Sequence, residues 1–283
     1  MPATSRHRHP QGYEIVFDEE PHVYYTILTG NLTPTGAVPR ANMKPDGTYG
    51  DKAVANKIFY TSGTTFVHKF CPPFDPDGKI AEKKAREAGV SPDQIRFEWK
   101  QKGIAACEMG TRVHETCEDI LHHRAFRNQP NDDHERKLMA AGWEACQRIM
   151  SEYDVIGVEQ MVGDLDCQIA GTIDLLVSNK KTGAVGIFDW KTNAKIDFQN
   201  NFRNGSRMLR PIQHLHNCSG VIYTLQLNLY QYILVKSGYL PRDTKFERQI
   251  IQLTEDGPKF FQLPDLQLEV RDMMVFVLEQ PPF

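Results

Sequence analysis

The chain has 283 residues, 40% of them hydrophobic and 24% charged, with a formal net charge of −3. That balance excludes a disordered chain and leaves ample apolar material for a core that needs no disulfide staples. It gives no whole-chain support to a nucleic-acid partner, so any such partner has to be argued from local features.

In chain order, YEIVFDEEPHVYYTIL at 13–28 reads as a hairpin, two β-prone runs around Asp-Glu-Glu-Pro. Residues 30–57 are rich in Gly, Pro, Asn and Thr and read as a long surface loop. Ser62-Gly-Thr-Thr offers N-cap hydroxyls to a short helix over 62–70, and a second helix is expected over 77–88, before Gly89. Ser91-Pro92-Asp93 opens a helical stretch over 92–124, with a break expected near Gly103 or Gly110. The helix at 132–153 has the clearest stripe: Leu138/Met139, Trp143, Cys146, Met150 and Tyr153 recur at helical spacing.

Three strand-like runs follow at 155–163, 167–177 and 184–191, then a polar loop at 195–219. TLQLNLYQYILVKSG (224–238) reads as a buried helix ending at Gly238. A late hairpin is expected within 247–263, and a last helix closes the chain. This order predicts one α/β domain, a central mixed β-sheet flanked by helices. Residues 1–90 supply an N-terminal hairpin, loop and helices, 91–263 the core, and 264–283 the C-terminal helix.

Six cysteines are scattered with no C-x-x-C pair, which argues against a zinc or iron–sulfur cluster and for reduced thiols. MPATSRHRHPQGYE lacks the apolar centre of a signal peptide, and no run reaches the roughly 18 apolar residues of a membrane span. A cytoplasmic protein with no membrane association is the expectation.

The chemistry concentrates in GTIDLLVSNKKTGAVGIFDWKTN, 171–193. With the turn centred near Lys181–Thr182, Asp174 and Asp189 fall opposite each other on neighbouring strands. Period-two alternation then puts Lys191 on the face of Asp189. Facing carboxylates raise each other's pKa unless a cation lies between them, and an oxygen-ligand site of this kind suits Mg²⁺ or Mn²⁺. The alternative is a pair of solvent-facing aspartates with Lys191 paired to Asp189. Both aspartates interrupt runs of Ile, Leu, Val and Phe, where a charge needs a reason.

Asp174 followed by Asp189-Trp190-Lys191 resembles the D…(D/E)-x-K core of the PD-(D/E)XK nuclease superfamily. GTRVHETCE (110–118) is similar to the G-x-x-x-H helix motif of its RecB-like exonuclease branch, which is common among phage and repair nucleases. Gly171 stands three residues before Asp174, as in the branch's G-x-x-D strand. YTLQLNLYQYIL (223–234) resembles its Q-x-x-x-Y motif through Gln226 and Tyr230. The motifs come in the branch's order. Ile173 stands where proline is frequent.

The resemblance implies a restriction-endonuclease-like core and a metal-dependent deoxyribonuclease, an exonuclease of recombination, repair or phage genome processing. If phage-encoded, it would act in the host cytoplasm. It implies Mg²⁺ or Mn²⁺ held by His114, Asp174, Asp189 and the Trp190 carbonyl. Lys191 would orient the attacking water or stabilise charge on the phosphoryl oxygens. Gln226 and Tyr230 share a helix face and are expected to reach the metal site or the substrate strand. DNA, with ends preferred, is the expected partner, beside a single-strand-binding or recombination protein. The competing classes are an endonuclease of the same superfamily, a non-catalytic nucleic-acid-binding or interaction module with a structural acidic hairpin, and a hydrolase using the two aspartates as an acid/base pair.

Four other features invite a reading. His114, Glu118 and His122 form one helix stripe, a zinc face or a solvated one. Glu159 is either a supporting carboxylate or an exposed residue. Lys195, Arg203, Arg207 and Arg210 make a basic loop that either holds a DNA backbone or is simply solvated. Ser62, Thr64 and Thr65 either bind a phosphate or cap a helix.

Overall fold

The structure, a computed structural model, describes residues 4–19, 22–27, 57–75, 78–199 and 206–279. Nearly all of the expected loop at 30–57, and Arg203 of the basic loop, lie outside the described residues. The described strands form a mixed, largely antiparallel sheet with helices packed on it.

Strands β1 (Thr4–Arg8), β2 (Glu14–Asp18) and β3 (Val23–Ile27) make an antiparallel meander, and β4 (Lys57–Ser62) adds antiparallel to β3. The hairpin expected over 13–28 is β2 and β3. Strand β1 gives no sequence signal because TSRHR is polar throughout. It is an exposed edge held partly by side chains, with Thr4 Oγ1 donating to Asp18 at 3.0 Å and Arg6 pairing with Glu14 at 3.2 Å. Ser62 caps α1 (Gly63–His68), its Oγ accepting from Thr65 N at 3.1 Å, so capping accounts for that hydroxyl cluster.

Helix α2 (Lys79–Ala88) leads into α3 (Pro92–Leu121), which runs 30 residues through both Gly103 and Gly110 without the expected break. A helix-interior glycine costs only about 1 kcal/mol relative to alanine. Packing outweighs that cost over the second half of α3, where Val113, Cys117, Ile120 and Leu121 are buried against α4 (Asp133–Glu152). Arg112 clamps the pair, its Nε and Nη2 lying 2.7 and 3.1 Å from the carboxylate of buried Glu135. From Lys100 to Glu108, α3 is exposed on every face.

Strands β5 (Tyr153–Asp164), β6 (Ile169–Asn179) and β7 (Val185–Lys191) are successive antiparallel neighbours. Strand β8 (Phe246–Thr254) joins β7 in parallel, and β9 (Gly257–Gln262) returns antiparallel. Helices α1, α5 (Ser219–Lys236) and α6 (Gln267–Glu279) share one core cluster with this sheet, while α3 and α4 share the other. Burial on both faces is why β6 and β7 read as nearly continuous apolar runs. No described helix is long and apolar enough to cross a membrane.

Two irregularities prepare a site. First, one edge of β6 is shared: β4 pairs with Ile169 and Ala170, and β7 pairs from Leu175 onward. Gly171–Asp174 lies between them with no ladder partner on that edge. Second, β6 changes faces at Asp174. Ile169 and Ile173 join the α5-side cluster, yet Leu175 and Val177, of the same parity, join the α3/α4 side, and Leu176 takes over the first. Strand β5 switches at the same level, between Val162 and Val158, where Glu159 adopts φ +50°. A left-handed glutamate costs about 1–2 kcal/mol.

Candidate active site

The hairpin register matches the one read from the turn, with Leu175 opposite Phe188 and Leu176 opposite Ile187. Asp174 and Asp189 come next along it. Trp190 and Phe188 point into the α3/α4 core, so their alternates, Asp189 and Lys191, fall on the α5 side with Ile187. There the Lys191 ammonium contacts Asp189 Oδ2 and lies 4.7 Å above the ring of Tyr223 on α5.

Asp174, at the face switch, turns toward α3. Its Oδ2 accepts the Trp190 backbone N–H at 2.9 Å and lies 3.4 Å from His114 Nδ1. Gly110, one turn before His114, lies close to the end of β7, where a Cβ would stand 3.4 Å from Thr192 Oγ1, an ordinary contact distance. His114, Asp174, Asp189, Trp190 and Lys191 are thus brought together.

His114, Asp174 and Lys191 are recessed but partly accessible, with side-chain exposures of 28%, 14% and 17%, while Asp189 and Trp190 are buried. Burial, with the Lys191 charge adding, pushes His114 down to about 4, so its imidazole is neutral near pH 7 and free to act as a ligand. Burial pushes Asp189 up to about 6, with Lys191 opposing and Asp174 adding. Asp174 is raised for the same first reason, against the pull of Lys191 and the Trp190 N–H. Lys191 loses by burial but gains more from the two carboxylates, and its net shift is upward.

Sequence reading leaves Glu159 undecided. It falls between the pairs Val158–Leu175 and Gln160–Ile173, across from Asp174, and is open to solvent at the mouth of the recess. The surrounding protein and the charges of Asp174, Glu118 and Asp189 push its carboxyl upward, and its exposure to solvent screens that shift. Glu118 of the His114–Glu118–His122 stripe pairs with Arg127 at 2.6 Å and Arg124 at 3.5 Å, which favours the solvated reading of that stripe. In the basic loop, Lys195 pairs with Asp197 at 2.7 Å and Arg207 donates to the His214 carbonyl at 2.8 Å.

Gln226 and Tyr230 occupy one face of α5, with Gln226 Nε2 donating to the Tyr230 hydroxyl at 3.2 Å. Both are buried, and burial raises the phenol's pKa. The Tyr230 ring fills the space left by two glycines, since a Cβ on Gly171 or Gly63 would stand 2.7 Å from it. The Gln226/Tyr230 pair therefore supports the G-x-x-D segment from behind. Gly171→Ala is expected to cost about 1–3 kcal/mol of stability by overpacking, measured by urea denaturation; an unchanged midpoint would mean that the ring is not seated there.

Neither a protein-family model nor the sequence of a curated protein matches this chain. Among the described residues, no three His, Cys, Asp or Glu side chains form a ready-made metal cage. The candidate donors are two carboxylates, one neutral imidazole and one main-chain carbonyl. Asp189 Oδ2 is buried and receives no hydrogen bond of good geometry despite its contact with Lys191. Such a donor set fits a divalent cation in its chemistry, and binding would have to draw the donors in.

Proposed function

We propose that the chain is a metal-dependent nuclease that hydrolyses DNA phosphodiester bonds, working from ends. The observation that carries this reading is the meeting of His114, Asp174, Asp189 and Lys191, all but Asp189 partly accessible, at a fork in the sheet. A sheet that buries both faces has little reason to hold three charged groups there unless they act together. The four motifs that resemble the RecB-like branch supply these residues and, behind them, Gln226 and Tyr230.

His114, Asp174, Asp189 and the Trp190 carbonyl would hold Mg²⁺ or Mn²⁺. A bound cation supplies Lewis acidity at the scissile phosphate and lowers the pKa of a coordinated water. Asp189 holds the Lys191 ammonium by direct contact, and the Trp190 N–H fixes one oxygen of Asp174. Lys191, kept protonated by the two carboxylates, can orient the attacking water or offset negative charge growing on the phosphoryl oxygens.

The test is a time course on end-labelled linear DNA beside a closed circle, with Mg²⁺ and with chelator. Release of label from the linear substrate, dependent on Mg²⁺, with the circle intact, is the expected result. Cutting of the circle would replace the exonuclease by an endonuclease. Activity unaffected by chelator would overturn the metal-dependent reading.

A further inference from the structure

We propose that Tyr223 is a positioning residue for Lys191, an assignment that rests on the nuclease reading of the site. Lysine has a four-carbon stem and a compact, freely rotating charge, so a carboxylate contact alone leaves its direction loosely set. Here the ammonium touches Asp189 on one side and lies 4.7 Å from the centroid of the Tyr223 ring. An aromatic face at that range attracts a cation and limits where it can swing.

The ring is itself anchored. The Tyr223 hydroxyl donates to Asn193 Oδ1 at 2.9 Å, and the Asn193 carbonyl accepts from Gln252 Nε2 at 2.6 Å. Gln252 is buried on β8, directly beside Lys191 in the parallel register of β7 and β8. One chain of contacts therefore leaves β8, passes through Asn193 just beyond β7, and returns through Tyr223 to Lys191. Tyr223 stands one turn before Gln226 on α5, so the helix that supports β6 from behind also aims the lysine of β7.

A cation–π contact of about 0.5–2 kcal/mol corresponds to roughly two- to thirtyfold. Tyr223→Leu is expected to lower kcat on DNA about tenfold with KM unchanged. Tyr223→Phe keeps the ring and loses the Asn193 bond, and should stay within about threefold of wild type. A second measurement does not depend on activity: the rate at which an acylating amine reagent labels Lys191, followed by peptide mass spectrometry with the other lysines as internal standards. Labelling should be several-fold faster in Tyr223→Leu and near wild type in Tyr223→Phe. Equal rates in all three proteins would overturn the proposal, as would a raised KM with kcat intact, which would make Tyr223 a substrate contact. If wild type cleaves no DNA but the labelling differs as expected, the ring still positions Lys191 and the nuclease reading alone fails.

Discussion

Asp189→Asn is expected to lower DNA cleavage by roughly a hundred- to a thousandfold or more, and to make the metal-free protein more stable, not less. Both effects have one source. The Asp189 carboxyl is buried, and burial with the Asp174 charge raises it to about 6 in spite of Lys191. A carboxyl raised on folding binds its proton more readily in the folded state. Its ionisation is therefore a cost that is absent at low pH and develops as pH rises from the ordinary carboxylate range through about 6. Near pH 8 the folded chain bears that cost in full, of order 1–3 kcal/mol.

Asparagine keeps the shape and removes the charge. Thermal unfolding in chelator should show Asp189→Asn melting above wild type at pH 8, with the gap narrowing below about pH 6 and closing toward about pH 4. A variant that merely melts lower at both values would mean that the Asp189–Lys191 contact is a stabilising ion pair, and the functional reading of the hairpin would lose its physical basis. A gain in stability with loss of activity is the signature of a charge held in place for chemistry.

The same residues show how much a single sequence can carry. The β6–β7 register was readable because Asn179–Ala184 is a compact turn and both strands are strongly apolar; Gly183, at φ +70°, and the Asn179 side chain bonding to two turn N–H groups fix it. The face switch at Asp174 was not readable. It coincides with a positive φ at Glu159 on the neighbouring strand, and glutamate gives no local signal for that geometry as glycine or asparagine would.

A break in α3 is expected near Gly103 or Gly110, and the helix runs through both because packing of its second half against α4 outweighs the small cost of a glycine. Gly171 looked like part of a motif, and its physical partner, Tyr230, became visible only when α5 was docked. Tyr223 carried a weaker signal still, a tyrosine one helical turn before Gln226. The restriction-endonuclease-like core remains an inference from resemblance; the structure itself gives an α/β chain with a mixed sheet between helices.

Calorimetric titration with Mn²⁺ is expected to show cation binding to the wild type, with protons released, and no comparable binding to Asp174→Asn. The donors are not gathered into a finished cage, so binding has to do electrostatic work before it gains ligand energy. Asp174 and Asp189 are both raised by burial. Toward low pH these carboxyls carry protons that a divalent cation must displace, because only the ionised carboxylate is a good ligand. Affinity should therefore increase as pH rises through about 6, where Asp189 ionises. Titration in two buffers of different ionisation enthalpy gives the number of protons released, which should fall as pH rises.

Bound Mn²⁺ should also raise the unfolding temperature, since a ligand at a hundred times its Kd stabilises by about 2.7 kcal/mol. Asp174→Asn loses a charge and an anionic ligand but keeps a carbonyl oxygen able to accept the Trp190 N–H, so its fold is expected to survive and its blank titration to be informative. Equal Mn²⁺ affinity in Asp174→Asn and wild type would place the cation elsewhere. Binding without proton release at pH 6 would mean that the carboxylates are already ionised in the free protein, and the buried charges of this hairpin would need another explanation.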